Sequence, residues 1–221
     1  MFKIRTIRTD KRENDFFMFL DMLNNQGFFL DIGANIGVMS YFLSKKNTDL
    51  GVLSFEPMPS NLDVFKKIIK RYDLSNVKLM AIALGDEIGE VEMVLPKVDE
   101  VNMHGLSHVV HDSITDFNEG DRFKVPIKRL DDLTELKGKL VSGIKIDVEN
   151  FEYFVLKGGR KILEKDHPLV YAELWDNENR AQCFELMSSL GYKILIVEGN
   201  KCLEFDVDKH IKQNFIFRYE A

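Results

Sequence analysis

Phe28-Phe29-Leu30-Asp31-Ile32-Gly33-Ala34-Asn35-Ile36-Gly37 is the stretch on which the reading of this chain turns. The apolar run before Asp31 lacks the in-out alternation of a half-exposed strand, so it suits a strand covered on both faces. Glycines then permit a tight turn and let a ligand approach the backbone, and Ile36, Met39 and Leu43 keep helical spacing after it. Strand, glycine turn and helix in that order open a nucleotide-binding α/β unit.

The same grammar continues outward. Residues 13–25 read as an opening helix released at Gly27, and further strands are expected at 51–56, 77–82, 141–148, 169–174, 192–197 and 214–219. Leu62, Phe65, Ile69 and Tyr72 supply one helical face between them, as do Phe151, Phe154, Val155 and Ile162, and later Ala181, Phe184, Met187 and Leu190. The alternation breaks after the third strand, where Gly85-Asp86 and Ile88-Gly89 signal turns and 91–95 and 123–127 read as paired strands around a polar stretch. The expectation is a Rossmann-like, seven-stranded, mostly parallel sheet sandwiched by helices, with a hairpin-like insertion after the third strand. No repeat or linker divides it, so 1–221 is read as one domain, with a helical segment at 1–27 and an insertion or lid at 96–122.

The composition is that of a globular chain: 45% hydrophobic and 30% charged over 221 residues, enough for a substantial core without disulfides. A net charge of -6 disfavours nucleic acid as a partner. Cys183 and Cys202 have no metal-ligand spacing and read as reduced thiols. No apolar leader and no membrane-length apolar run occur, so a cytoplasmic location without a membrane span is expected. A homodimer stays open.

Glu56 closes the second strand twenty-five residues after Asp31, where such folds use an acid to accept both ribose hydroxyls. The dinucleotide fingerprint wants glycine where Asn35 stands, so a pyrophosphate is poorly provided for. S-adenosyl-L-methionine, which has a ribose and no phosphate, suits the turn better than a nicotinamide dinucleotide. The expected cofactor contacts are Asp31, Gly33, Ala34, Asn35, Gly37, Glu56, Pro57 and Asp147, with Ile82 and Ala83 against the adenine ring and Asp86 accepting from its amino group. The plain alternative is a strand-to-helix turn with solvated acids.

The segments FLDIGANIG (29–37), SFEPMPSN (54–61), AIALGDEIGEVEM (81–93), Leu130-Asp131-Asp132 and KIDVENFEYFVLKGG (145–159) resemble, in this order, the motifs of the FkbM-family methyltransferases. That resemblance implies an S-adenosylmethionine-dependent O-methyltransferase of Rossmann-like fold, acting on hydroxyls of sugars, glycolipids or polyketide-type products. One position departs: the motif D-V-E-G carries Asn150 in place of its glycine, an exchange a helix N-cap would tolerate.

Asp31, Glu56, Asp147 and Glu173 each end a predicted strand, the edge where open α/β sheets bind ligands. Methyl transfer to an alcohol needs alignment and a destination for the hydroxyl proton, either a base or a divalent cation such as magnesium. Asp147 and Glu149 point the same way if the chain stays extended, and Glu173 on the next strand converges with them, so these three are the catalytic candidates and Asp147 with Glu173 the candidate metal ligands. Glu149 and Glu152 also read as ordinary first-turn acids of a helix. His104, beside Gly105 in the insertion, is a further candidate base, with His108 and His111 nearby; solvated histidines on a mobile lid are the bland reading. Ser107, Trp175 and Asn177 are placed around the acceptor, and Lys145, inside a buried strand, requires an ion-pair partner. An NADH-linked oxidoreductase and a cofactor-binding protein without turnover are the rival functions.

Overall fold

A computed structural model of the chain describes residues 4–46, 48, 51–98 and 101–220; residues 1–3 and 99–100, which belong to the expected segments 1–27 and 96–122, lie outside the described residues. The elements run α1 Asn14–Met22, β1 Phe28–Ile32, α2 Val38–Lys46, β2 Val52–Phe55, α3 Pro59–Tyr72, β3 Val77–Met80, β4 Ala83–Leu84 and β5 Gly89–Val98. After these come β6 Val101–Asn102, β7 His108–Val109, β8 Gly120–Lys128, β9 Val141–Ile146, α4 Glu152–Gly158, α5 Arg160–Asp166, β10 Leu169–Glu173, α6 Glu178–Ser189, β11 Tyr192–Glu198, β12 Lys201–Glu204 and β13 Asn214–Tyr219.

Among the described residues the main sheet has eight strands in the order β12-β11-β13-β10-β9-β1-β2-β3. The run from β10 to β3 is parallel, and β13 inserts antiparallel between β10 and β11. The eighth strand, β12, is the one the sequence does not announce; it is a short edge strand, Lys-Cys-Leu-Glu, turning back on β11.

Strand alternation sorts the side chains into two cores. Phe29, Val52, Tyr171, Leu195 and Ile216 face one side with Phe16, Phe19 and Leu20 of α1 and Tyr41, Phe42 and Leu43 of α2. Leu30, Leu53, Val170, Ala172, Phe215 and Phe217 face the other with Val155 of α4, Leu163 of α5 and Met187 of α6. Fully buried rings such as Phe29, Phe215 and Phe217 each stabilise the fold by roughly 1.5–3 kcal/mol. Both faces are covered, which is why the strands read as continuous apolar runs.

The insertion is a long hairpin in which β5 and β8 pair antiparallel from Gly89 with Ile127 to Pro96 with Gly120; β4 flanks β8, while β6 and β7 flank β5. Its Met93, Leu95, Val109, Val125 and Ile127 join the α4–α6 core, so the hairpin is rooted in the domain. Among the described residues no helix is long and apolar enough to cross a membrane.

Candidate functional site

The turn between β1 and α2 takes left-handed backbone at alternate positions, with φ of 71° at Gly33, 49° at Asn35 and 87° at Gly37. A Cβ on Gly33 would fall 1.7 Å from the carbonyl oxygen of Asp147, and one on Gly37 would meet the Phe65 ring at 2.2 Å. Asn35 fills the middle position because asparagine tolerates this region better than most residues. The Gly33 and Ala34 amides donate to the Phe55 carbonyl at 3.1 and 2.9 Å, fixing the turn against the end of β2.

Glu56 is a buried part of that turn. Its Oε2 accepts from the Asn35 amide at 2.8 Å, and its Oε1 accepts from the Met58 amide at 2.8 Å and Asn61 Nδ2 at 3.3 Å. Burial pushes its pKa up, and these three donors pull it back. A carboxylate so held is fixed in direction and keeps lone pairs for a ligand.

A cleft opens beside it, enclosing about 600 Å³ of empty space when its open mouth is included. Of the site candidates named from the sequence, Gly33, Asn35, Glu56, Pro57, Ile82, Ala83, Asp147 and Glu149 line it. Asp31, Ala34, Gly37, Asp86 and Glu173 stand outside the lining. Asp31 is wholly buried behind the turn, where its Oδ2 accepts from Ser40 Oγ at 2.5 Å, and Asp86 pairs with Lys157 at 2.7 Å. The insertion contributes Met93, Gly105, Ser107 and Val109 to the wall, and Asn61 and Phe151 complete it. Of these the sequence reading placed Ser107 near the site and gave Val109 as either a cover for the acceptor or a packing residue; Asn61 carried a signal, being the last residue of SFEPMPSN.

Asp147, in the lining, belongs to a cluster of charges. Lys145 donates to the Gly33 carbonyl at 3.0 Å and to Asp147 Oδ2 at 3.2 Å, and its Nζ lies 3.6 Å from Asp31 Oδ1. Burial alone would lower the lysine pKa, but Asp147 and Asp31 outweigh it and hold the ammonium charged. This is the ion pair the buried lysine required.

The backbone beyond β9 corrects two sequence expectations. The strand ends at Ile146, and Glu149 and Asn150 are both left-handed, with φ of 53° and 76°, so Asp147 and Glu149 are not alternating strand residues. Asn150 is not a helix cap either: the cap position of α4 is Phe151, and Asn150 replaces glycine through its tolerance of positive φ. Its Oδ1 accepts from Asn177 Nδ2 at 2.7 Å and its carbonyl from Asn179 Nδ2 at 2.9 Å, which ties the turn to the start of α6. Glu152 completes the knot by accepting from the Val148 and Asn150 amides at 2.9 and 3.3 Å.

The resulting turn concentrates like charges. Burial, then the charges of Asp147 and Glu173, push Glu149 up to about 8. Glu173 is raised by burial and then by Asp147. Glu13, from the turn preceding α1, lies in the same field and is a contributor that no local signal identified.

Glu152 gives this cluster a measurable signature. Burial raises it from 4.5 to about 8, so between those pH values the native state holds a proton that the unfolded chain releases, and stability falls as pH rises through that window. The expected result is a Tm that declines from pH 5 to pH 8 and levels off above it. Glu152→Gln keeps an oxygen for the two amides, flattens the profile and is more stable than the parent above pH 8 by about 2–4 kcal/mol. A parent Tm that climbs toward pH 8 would reverse the sign.

The insertion histidines behave differently from one another. His104 lies by its backbone in the short turn His104–Leu106, its side chain being outside the described residues. His108 is buried, with Nδ1 2.8 Å from the Leu106 carbonyl and Nε2 3.2 Å from Asn118 Oδ1, so it braces the insertion from within. His111 rests on the Phe154 ring at 4.5 Å. Among the described residues no three His, Cys, Asp or Glu side chains group to hold a metal ion, so Asp147 with Glu173 gains no support as a cation site.

This geometry has relatives. The methyltransferase FkbM domain model matches residues 31–194, from the glycine turn into β11. Methyltransferase 1 of Beauveria bassiana is 26% identical over 189 residues, covering 78% of this chain and 74% of its own, and Methyltransferase sdnD of Sordaria araneosa is 29% identical over 204 residues, covering 78% and 76%. The crystal structure of Methyltransferase FkbM from Methylobacillus flagellatus superposes with a TM-score of 0.59 at 16% identity, covering 90% of this chain and 45% of that one, so this chain spans a little under half of that structure. With the matched segment taking in the glycine turn, Glu56 and the Asp147 turn together, the chain belongs to the FkbM family of S-adenosylmethionine-dependent methyltransferases.

Proposed function

We propose that this chain is a single methyltransferase domain that moves the methyl group of S-adenosylmethionine to a hydroxyl on a sugar, glycan or other small natural-product acceptor, with Glu149 as the proton acceptor and Glu173 as its partner. The observation that carries the reading is that one cavity is lined both by the fixed carboxylate of Glu56 and by the crowded carboxylates of Asp147 and Glu149.

The lining fits the cofactor. Phe55, Ile82, Leu84 and Met93 offer an apolar wall for a purine, Glu56 offers acceptors to ribose hydroxyls, and Asp147 offers negative charge to a cation. When bound, S-adenosylmethionine supplies an electrophilic methyl group on a positively charged sulfur. The chain aligns the acceptor oxygen with that carbon, which is the larger part of the task. Glu149 then takes the hydroxyl proton; with a pKa near 8 it is ionised often enough to act and basic enough to keep the proton. Lys145 keeps Asp147 in place beside it.

Family membership sets the nicotinamide oxidoreductase aside. The binding protein without turnover loses its main support as well, because Asn150 adopts the left-handed backbone that a glycine would have supplied.

The test is methyl transfer from labelled S-adenosylmethionine to a panel of hydroxylated acceptors, compared with Glu149→Gln. The variant should bind S-adenosylhomocysteine as the parent does and turn over about 10–100-fold more slowly, the loss being limited because Glu173 remains. Parent turnover should rise with pH through the neutral range as Glu149 is ionised. Unchanged turnover in the variant would remove Glu149 from the mechanism.

A further inference from the structure

A second cleft lies at the opposite edge of the main sheet, where β9 and β10 begin and β13 ends, away from the strand ends that carry Glu56 and Asp147. It encloses about 820 Å³ of empty space when its open mouth is included. Ser142 is the one buried residue of its lining, and two irregularities meet there. The register of β9 against β1 passes from Phe28 with Val141 to Phe29 with Gly143, and β10 takes up its pairing at Gly143, so both neighbouring strands skip Ser142. Among the described residues its buried hydroxyl has no hydrogen-bond partner. A bulge re-aims a side chain, and a buried hydroxyl left unpaired costs stability that an alanine would not.

The groups around this serine are donors with capacity to spare. Arg218 gives Nη2 to Glu220 at 2.8 Å, and among the described residues its Nε and Nη1 have no acceptor. Glu220 is shared with Lys193 at 2.9 Å, so it does not cancel the guanidinium charge. Asn24 accepts from the Gln26 amide through Oδ1, which leaves its Nδ2 unengaged among the described residues. The one carboxylate in the lining is already taken: Asp166 Oδ2 accepts from the Val141 amide at 2.9 Å and Oδ1 from Lys165 at 2.8 Å. Positive charge and spare donors thus meet no free acid. The apolar part of the lining is flat, because His167 stacks on Tyr219 with centroids 3.6 Å apart and planes at 10°. Only β10 separates Ser142 on β9 from Arg218 on β13, about 10 Å at the spacing of neighbouring strands, a gap that an arginine side chain and one carboxylate bridge.

We propose that this cleft is a second binding site, for a small aromatic carboxylate whose ring lies along the stacked Tyr219 and His167 and whose carboxylate accepts from Arg218 and the Ser142 hydroxyl. The sign of the ligand follows from the donors: a carboxylate meets a cation and a hydroxyl, whereas an ammonium group would find Asp166 already occupied. A hydrogen bond from a charged donor supplies the stronger contact, and the serine at depth sets the direction in which the ligand enters. Its flat body matches the flat wall, with Met22 and Leu169 adding aliphatic surface. Occupancy gives the skipped serine the partner that the fold withholds. The site is distinct from the cofactor cavity, with which it shares no lining residue.

The test is equilibrium dialysis of the full chain against 2-naphthoate, with and without S-adenosylhomocysteine, and against the uncharged 2-naphthamide. The expected result is saturable binding of 2-naphthoate at a single site per chain, unaffected by S-adenosylhomocysteine, with 2-naphthamide at least about tenfold weaker. Arg218→Gln should weaken 2-naphthoate by at least about tenfold and leave 2-naphthamide unchanged. Ser142→Ala should weaken 2-naphthoate by at least about fivefold and leave the ligand-free Tm equal or higher, because it removes an unpaired buried hydroxyl. Absence of saturable 2-naphthoate binding overturns the site, and so does 2-naphthamide that binds as tightly, since the charge would then go unread. Displacement of 2-naphthoate by S-adenosylhomocysteine also overturns it, by putting the probe in the cofactor cavity. Undiminished affinity in Ser142→Ala, or a fall in its Tm, would make the serine a residue of the fold and has the same consequence.

Discussion

Gly33→Ala should lower the affinity for S-adenosylhomocysteine by more than about 100-fold and destabilise the fold by roughly 3–5 kcal/mol. Two separate costs meet at this position. The backbone is left-handed, with φ of 71°, where an L-residue other than glycine is strained by about 1 kcal/mol. The added methyl would also stand 1.7 Å from the Asp147 carbonyl oxygen and 3.2 Å from a Val148 methyl. Neither neighbour can retreat cheaply, because the Asp147 amide donates to the Ile32 carbonyl at 3.1 Å and Lys145 spans the Gly33 carbonyl and the Asp147 carboxylate. The only relief is for the β1 turn and the β9 turn to part, and both of them line the cavity. Asn35→Gly is the internal control: it relaxes a left-handed asparagine without adding an atom and should change stability by less than about 1 kcal/mol. Calorimetric titration with S-adenosylhomocysteine and denaturant unfolding of the three proteins provide the measurement. If Gly33→Ala binds as the parent does, the turn is not in contact with the cofactor.

What was legible in the sequence follows the range of the forces that set it. The β1 turn could be read because its determinants are local: an apolar run, glycines at alternating positions, and a helix repeat directly after. Lys145 announced its need for an ion-pair partner for an equally simple reason, since a charge within an apolar strand must be compensated. The Glu149-Asn150 turn could not be read. Its two left-handed residues are held by Asn177 and Asn179, which arrive from another element, and local alternation suggested an extended chain in their place. Asp31 was read as orienting either the ligand or the glycine turn because it ends a strand, and the register sets it opposite Ser54 on β2 and Lys145 on β9, on the interior side of that turn. Glu13 shows the limit most plainly: it joins the field of Asp147 through chain folding alone, with no pattern in its own neighbourhood to mark it. His108 was read among solvated lid histidines, and the β5 to β8 hairpin instead gives it a buried position with both ring nitrogens engaged.

Lys145→Met is the second large effect, and it separates an organising role from a merely space-filling one. The methionine side chain nearly matches the lysine stem in volume, so packing is preserved and the loss is electrostatic. Asp31 is wholly buried, and among the described residues its Oδ1 has no hydrogen-bond partner, only the Lys145 ammonium at 3.6 Å. Removing one member of such a pair leaves an uncompensated charge in a low dielectric and costs about 3–5 kcal/mol. Asp147 loses its donor at the same time, so affinity for S-adenosylhomocysteine should fall along with stability. The direction with pH follows from the unpaired charge: a native state that gains from taking up a proton binds more protons than the unfolded chain, so the variant's deficit shrinks as the medium is acidified. A second substitution isolates the cause. Asp31→Asn in the Lys145→Met background removes the stranded charge and should recover at least about 1.5 kcal/mol, whereas the same change in the parent, where the charge is compensated, should destabilise. Denaturant unfolding of the four proteins closes the cycle. If the two changes prove additive, Asp31 and Lys145 do not depend on each other, and the geometry of the β1 turn must be maintained by its backbone hydrogen bonds to Phe55 without help from the charge beneath it.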